Sequence, residues 1–320
     1  MRIVFFGSPE FALPTLQALL DSPHEVVAVV TQPDRPAGRR HALTPPPVKV
    51  RALDRGLPVL QPPKVSDEAS VEALRALDAD VFVVAAYGQI LRQRVLDLPK
   101  RGCLNVHASL LPRHRGASPI AAAILAGDSV AGVTIMEMVR ALDAGPMVAT
   151  VEEPVLASDT TGSLEARLAN AGALKLVEVL DGWASGAIAA QLQDDALATY
   201  APQLQRSDAL IDWTRPAIDI WRAVRAYNPW PVAYTTIQGQ ELRVLEAWPV
   251  DGDSDALPGT VLAPSRLPPE PTETAAETFA VQTGNGALAV LRLQKPGGKP
   301  MAGLEFLRGQ RDFIGAMLGT

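Results

Sequence analysis

A chain of 320 residues is long enough for two domains, each burying its own core. Its 48% hydrophobic and 20% charged residues are globular proportions, and a net charge of −6 argues against indiscriminate nucleic-acid binding while leaving room for a local basic face. The single cysteine, Cys103, excludes an intramolecular disulfide and a cysteine-only metal site, and its apolar surroundings predict a small buried residue.

Residues 3–6 read as a buried strand, which Gly7-Ser8-Pro9 turns into a helix carrying Phe11, Leu16, Leu19 and Leu20. The N-terminal apolar run is too short for a signal-peptide core. No stretch approaches the roughly 18 apolar residues of a membrane span. A cytoplasmic protein with no membrane partner is therefore expected. Residues 25–31 form a second buried strand, and this β-α-β opening predicts a parallel sheet. The dinucleotide fingerprint G-x-G-x-x-G is missing after Gly7, which disfavours nicotinamide chemistry on a Rossmann-like sheet. Residues 32–49 make a long Pro-rich loop containing Arg35, Arg39, Arg40 and Lys49. It reads either as a solvated, mobile loop or as a lid or phosphate-contacting arm.

Residues 59–61 predict a short strand, 66–77 a helix and 80–86 a buried strand ended by Tyr87-Gly88. Ligands of a parallel sheet lie beyond the C-terminal ends of its strands. Gly7-Ser8, Tyr87-Gly88-Gln89-Ile90-Leu91 and His107 thus share the functional edge. Residues 102–116 begin as an apolar strand and end as a polar loop. A short helix at 120–125, strands at 132–138 and 147–151 around a tight loop at 142–146, and a helix from an Asp159 or Thr160 cap to about residue 184 follow. Residues 185–206 lose periodicity. Beyond them come a helix at 216–226, short strands at 233–237, 242–247, 259–263, 279–283 and 287–294, and a last helix at 302–313. Residues 263–278, rich in Pro, Glu and Thr, read as a disordered excursion. The expected fold is α/β: a Rossmann-like, mostly parallel sheet in an N-terminal catalytic domain (1–188), a linker (189–206), and a smaller OB-like β-barrel (207–320).

The chemistry centres on Asn105 and His107, which share one side of a strand because they are two residues apart. Asn105 supplies two N–H donors, and His107 can donate, accept and move protons near neutral pH. Together they suit an oxygen gaining negative charge, as in a tetrahedral acyl-transfer intermediate. Asp143 is the candidate carboxylate to orient the imidazole or raise its pKa. The same residues also suit a capping Asn, a satisfied surface His and a turn Asp, and nothing in the spacing joins residue 143 to residue 107. Ser109 could complete a hydrolase triad, but no G-x-S-x-G elbow surrounds it. The four histidines form no H-x-x-x-H or H-E-x-x-H pair, so no metal is expected.

Asn105-Val106-His107, Ser109-Leu110-Leu111-Pro112 and Asp143-Ala144-Gly145 together resemble the folate-dependent formyltransferase family. Phe6-Gly7-Ser8-Pro9-Glu10-Phe11, Ala86-Tyr87-Gly88, Gly132-Val133-Thr134-Ile135-Met136, Tyr227-Asn228-Pro229-Trp230-Pro231 and Pro296-Gly297-Gly298-Lys299-Pro300-Met301 extend the likeness over nearly the whole chain. With Thr31-Gln32-Pro33-Asp34-Arg35-Pro36-Ala37-Gly38-Arg39 it points to the branch acting on initiator tRNA. The resemblance implies transfer of the formyl group of 10-formyltetrahydrofolate to the α-amino group of methionine on initiator tRNA. The amine would attack directly, with no protein nucleophile and no metal, on a monomeric enzyme. Asn105 and His107 would stabilise the oxyanion, and Asp143 would hold or charge His107 and relay the proton. Ser109, Leu110, Leu111 and Pro112 would line the folate site, with the pterin near Tyr87, Gly88, Gln89, Ile90 and Leu91. Arg35, Arg39, Arg40 and Lys49 would meet the tRNA acceptor end, and Lys295 and Lys299 the tRNA backbone. The alternatives are an N-formyltransferase acting on an amino sugar nucleotide and a non-catalytic tRNA-binding protein on the same fold.

Overall fold

Strands that are apolar without alternation must be covered on both faces. In the computed structural model, which describes residues 1–37, 42–251, 255–266 and 277–319, such strands form the centre of the first of two compact units. That unit comprises Met1–Pro119, Val130–Pro154 and Glu165–Ala201, and the second comprises Ile120–Ser129, Val155–Leu164 and Pro202–Thr320.

The first unit opens with β1 (Arg2–Gly7), α1 (Leu13–Leu20) and β2 (Glu25–Val30). The basic loop is not bare: β3 (Arg35–Ala37) and β4 (Ala42–Thr44) pair antiparallel, and α2 (Pro47–Asp54) follows at once. A proline suits the first helical turn because its missing N–H would have no partner there, so the Pro45-Pro46-Pro47 run starts a helix where composition suggested only a loop. Arg39 and Arg40 lie outside the described residues. Then come β5 (Val59–Leu60), α3 (Glu68–Arg75), β6 (Val81–Ala85), α4 (Gln93–Leu96), β7 (Cys103–His107) and the two-residue β8 (Arg115–Gly116). After α5 (Pro119–Ala126), β9 (Val130–Glu137) and β10 (Met147–Pro154) complete a sheet of order β10-β9-β7-β6-β1-β2-β5. Its pairings are parallel except the two made by β9, which alone runs against the other strands. Strands β1, β6 and β7 are buried at nearly every residue, as their unbroken apolar runs require.

The 25-residue α6 (Thr161–Ser185) buries Leu164, Leu168, Leu176 and Leu180 completely. Thr160 and Ser163 cap its start: the Thr160 hydroxyl accepts from the Ser163 N–H at 3.3 Å and the Ser163 hydroxyl from the Thr160 N–H at 3.0 Å. Residues 189–201, within the segment read as a linker, group with the first unit. Gln191 bridges Met147, and β11 (Tyr200–Ala201) pairs in parallel with β8. Two-residue pairings leave no periodicity to read.

The second unit contains α7 (Ala217–Ala226) and a curled antiparallel sheet. Its strands are β12 (Tyr234–Ile237), β13 (Gln240–Val250), β14 (Val261–Arg266), β15 (Glu277–Gln282) and β16 (Ala287–Gln294), in the order β12-β13-β16-β15-β14, with β17 (Met301–Ala302) on β16. Register shifts in β13 between Val244 and Ala247 mark bulges, which bend and twist a sheet. Residues 263–266 and 277–278 of the expected excursion are strand, and 267–276 lie outside the described residues. The last helix, α8 (Gly303–Arg308), stops before Gly309, earlier than expected. Glycine is a poor helix former, and the non-helical chain beyond it returns Phe313 to the core. There the Phe313 ring meets those of Phe279 and Phe306, each at 5.1 Å between centroids.

Phe279 is fully buried at the centre of this aromatic group. Phe279→Ala is expected to cost about 3–5 kcal/mol through lost burial and the cavity left behind. Urea denaturation of the variant against the parent chain measures the loss.

Candidate active site

The sheet's direction brings the C-terminal ends of β1, β6 and β7 to one edge, where ligands of parallel sheets bind. His107 is the last residue of β7, opposite Thr134 of β9, and it is buried. Its Nε2 lies 3.1 Å from the carbonyl oxygen of His114. A carbonyl only accepts, so Nε2 carries the proton and donates. Nδ1 faces Oδ2 of Asp143 at 3.7 Å, within ion-pair reach but beyond a hydrogen bond. Burial pushes the imidazole below its ordinary pKa of 6.5. The Asp143 charge and the His114 hydrogen bond oppose that shift, and the His114 ring adds to it.

Asn105 precedes His107 by two strand positions and is also buried, at 8% exposure. Its side-chain amide makes no hydrogen bond to any described residue. Its amide atoms are not among the fully buried unpaired ones, so the group opens to the sheet edge, on the same side of β7 as His107. Asp143, in the loop after β9, has a φ of +47°, a left-handed conformation that Asp tolerates better than most residues. Its Oδ2 accepts the Gly116 N–H at 2.8 Å. The structure thus brings residues 107 and 143 together, which spacing could not, and keeps Asn105 on the His107 side of β7.

Ser109 is turned away from this group. Its N–H closes a tight turn onto the His107 carbonyl (2.9 Å), and its hydroxyl donates to the Arg113 carbonyl at 2.7 Å. It therefore presents no nucleophile to His107, and a Ser-His-Asp triad is excluded. Thr134, which the 132–136 motif contains but to which no role was assigned, holds this turn. Its hydroxyl donates to the Ser109 carbonyl (2.7 Å) and accepts the Leu111 N–H (3.1 Å). Leu111 is buried, whereas Leu110 and Pro112 are part-exposed.

At the end of β6 the expected binding residues divide. Tyr87 and Leu91 point into the core, and the Tyr87 ring meets Phe6 edge-on at 5.3 Å. The Tyr87 ring fills the space beneath β1 and β6, so what Tyr87 offers the edge is its backbone. Its carbonyl instead accepts from Ser8 Oγ and Gln32 Nε2, both at 3.2 Å. Gly88, Gln89 and Ile90 line a cavity of about 380 Å³ with Gln32, Arg35, Pro63, Lys64, Ser66 and Arg92. Ile90 is 83% exposed, and the buried hydroxyl of Ser66 has no hydrogen-bond partner. Cations line this cavity and no carboxylate does.

The cations expected on a nucleic-acid face also divide. Arg35 is exposed, donating to Gln32 Oε1 at 3.1 Å. Lys49 instead lies on α2, with its ammonium 2.8 Å from both Asp34 carboxylate oxygens. That pair is less than one-third exposed and removes Lys49 from the free charges. In the second unit Lys299 is exposed, and the Lys295 ammonium sits 5.1 Å over the Phe306 ring. Among the described residues no group of three or more His, Cys, Asp and Glu is arranged to hold a metal, and no helix is long and apolar enough to cross a membrane.

Comparison with known proteins places this geometry. Residues 1–180 match the formyl transferase family model, and residues 203–311 match the model of the formyl transferase C-terminal domain. The methionyl-tRNA formyltransferase of Pseudomonas paraeruginosa is 49% identical over 316 residues, covering 99% of this chain and 98% of that protein. That of Stutzerimonas stutzeri is 48% identical over 312 residues, covering 98% and 96%. Among solved structures, the sugar 3N-formyl transferase WlaRD matches with a TM-score of 0.63 at 16% identity, over 91% of this chain and 97% of that one. HypX from Aquifex aeolicus in complex with tetrahydrofolic acid matches with a TM-score of 0.60 at 18% identity, over 96% of this chain and 47% of that one. These structural likenesses concern the fold.

Thr134 is fully buried and satisfies two backbone groups of the 109–111 turn. Thr134→Val keeps the shape and strands both groups, at an expected cost of about 1–3 kcal/mol. A lowered Tm by calorimetry with the fold retained is the outcome that fits.

Proposed function

This chain belongs to the formyl transferase family, and on that premise we propose that it formylates methionine carried on initiator tRNA, with 10-formyltetrahydrofolate as donor. The observation that carries the reading is the buried group at the sheet edge: an unpartnered Asn105 amide beside His107, whose Nδ1 faces Asp143 at 3.7 Å.

In this reading the α-amine attacks the formyl carbon, forming a C–N bond as the carbonyl π-electrons move to oxygen. The Asn105 amide donates to that oxyanion, a role for which a pre-placed donor with no protein bond to break is suited. His107 is neutral at pH 7 because burial depresses its pKa, so Nδ1 is free to take up the proton that the amine loses. The Asp143 carboxylate then stabilises the imidazolium, whose charge also favours the oxyanion. Collapse of the tetrahedral intermediate breaks the bond to the donor nitrogen, which leaves with a proton and yields the N-formyl amide and tetrahydrofolate.

The donor is assigned to the edge formed by Gly88, Gln89 and Ile90 and the segment Ser109, Leu110, Leu111 and Pro112. The cationic cavity beside Gly88 supports this, since folates carry carboxylates and cations line the cavity without an acid. Arg35, with Arg39 and Arg40, is assigned to the tRNA acceptor end, and Lys295 and Lys299 to the tRNA backbone. Lys49 is given instead a supporting role at the base of that loop, through Asp34. The N-terminal domain is read as catalytic and the C-terminal domain as tRNA-binding. The enzyme is read as a cytoplasmic monomer.

Incubation with 10-formyltetrahydrofolate and charged initiator tRNA is expected to yield formyl-methionine. Activity on an amino sugar nucleotide and none on the tRNA would favour the other acceptor class. Asn105→Ala, His107→Ala and Asp143→Ala should each lower turnover, by roughly 10²–10³ where an oxyanion donor is lost, with the fold intact by circular dichroism.

The pH profile follows from His107. The neutral imidazole is the base, so its active fraction rises with pH through a pKa below 6.5. Turnover is expected to rise on an acid limb with its midpoint below that value and to level before neutrality. Asp143→Asn removes a contribution that raises this pKa, so the midpoint of its residual activity should move lower still. A midpoint that stays put or rises would contradict His107 as the base.

A further inference from the structure

Beside the 143–145 loop runs a chain of hydrogen bonds that the mechanism above does not use. Gln193, in the segment the sequence left as a linker, donates through Nε2 to the carbonyl oxygens of Asp143 (2.8 Å) and Gly145 (2.7 Å). Its Oε1 accepts from Nε (3.0 Å) and Nη2 (2.7 Å) of Arg115, and the same Nη2 donates to Oδ1 of Asp195 at 2.7 Å. The amide cannot be reversed, because two carbonyls can only accept and a guanidinium can only donate. The Arg115 side chain is 4% exposed, so its charge relies on these partners.

The same segment reaches both members of the His107–Asp143 pair. Thr199 Oγ1 accepts the His114 N–H at 2.8 Å, and the His114 carbonyl is the group to which His107 Nε2 donates. The Asp143 carboxylate is tethered by the Gly116 N–H, and β8, which contains Gly116, pairs with β11. At Gly116 the φ is +121°, and a Cβ would lie 2.5 Å from the Ala201 carbonyl oxygen, so only glycine permits this approach. Gly145 is similarly confined, since a Cβ there would fall 1.7 Å from the Glu137 carbonyl oxygen. The left-handed Asp143 is thus fixed at its carboxylate by Gly116 and at its backbone by Gln193.

We infer that Gln193 is a positioning residue of the formyl-transfer site: held by Arg115, its amide fixes the 143–145 loop so that the Asp143 carboxylate stays opposite Nδ1 of His107. This rests on the reading of His107 and Asp143 given above. At 3.7 Å with no hydrogen bond between them, the carboxylate acts on the imidazole and its protonation through its charge, an effect that changes directly with separation. The titratable or charged groups beside His107 are Asp143 and His114. From β9 it meets Thr134, and β6, which pairs with β7 up to Asn105, has only apolar side chains.

The test uses the full chain with donor and charged initiator tRNA. Gln193→Met keeps length and loses every hydrogen bond. It is expected to lower kcat on the order of 10- to 100-fold, as small misplacements of catalytic groups do, with little change in KM for either substrate. The His107 ring titration, followed by NMR, should move to lower pH as the Asp143 charge drifts away. Wild-type kcat with an unmoved titration in the folded variant, whatever the loss in Tm, would overturn the inference. Gln193→Glu guards against a misfolded first variant. It still accepts from Arg115 but has no N–H for the two carbonyls, so a matching loss of kcat supports the inference and wild-type kcat defeats it. His107→Ala separates the two kinds of failure. Turnover retained there overturns the site reading and this inference together, whereas turnover lost there but kept in both Gln193 variants overturns the inference alone.

Discussion

Everything at the sheet edge depends on keeping an imidazole and a carboxylate together and nearly out of water. His107 and Asp143 have side chains only 6% and 13% exposed. Removing two ionisable groups from solvent is costly, and their attraction offsets the cost only when the geometry is held. Here burial wins for His107, whose pKa falls despite the facing carboxylate. In the proposed mechanism the imidazole rests neutral, and the facing carboxylate becomes its counter-ion once it takes up a proton. Such an arrangement favours charge formation during the reaction more than in the resting state, and a catalytic base needs that difference.

Holding that geometry explains why so much backbone nearby is irregular and yet hydrogen-bonded. Asp143 and His114 both have positive φ, at +47° and +58°, and each has its backbone tied by a side chain from residues 193–199. Strained residues persist where the surroundings over-determine them. Against this saturation the Asn105 amide stands out, being the one group of the trio left without a protein partner among the described residues. An oxyanion donor that already had a partner would have to break a bond to act. Asn105 is placed with no such bond to lose.

The sequence was most legible where burial is two-sided and least legible where contacts are short-range and polar. Strands β1, β2, β6 and β7 were readable because continuous apolar runs need cover on both faces. Asn105 and His107 could be placed on one side because a strand has a period of two. That Asp143 meets His107 came only from family likeness until the structure set the distance. Residues 191–201 carried no signal at all: a one-residue bridge, a two-residue strand and side chains that reach backbone carbonyls leave no periodic trace. Tyr87 shows what position alone does not give: it ends a strand at the sheet edge, but the pleat turns its ring into the core and leaves Gly88 and Ile90 lining the cavity.

A count of basic residues likewise misjudges which of them can meet phosphate. Arg115 is consumed by Gln193 and Asp195. Lys49 is consumed by Asp34. Arg225 is buried, donates to the Asp159 and Leu156 carbonyls, and stacks 4.2 Å over Trp221, with burial depressing even its guanidinium pKa. Cations engaged in this way have less charge to offer a phosphate, and release of counter-ions from phosphates supplies most of the salt-dependent affinity. Among the described residues of the basic loop, Arg35 remains, on β3 and bordering the cavity with Lys64 and Arg92. An acidic protein can therefore still present a cationic face, because several of its cations are engaged within the fold while the cavity lining carries cations and no carboxylate. That local sorting, rather than the net charge of −6, decides what the surface can attract.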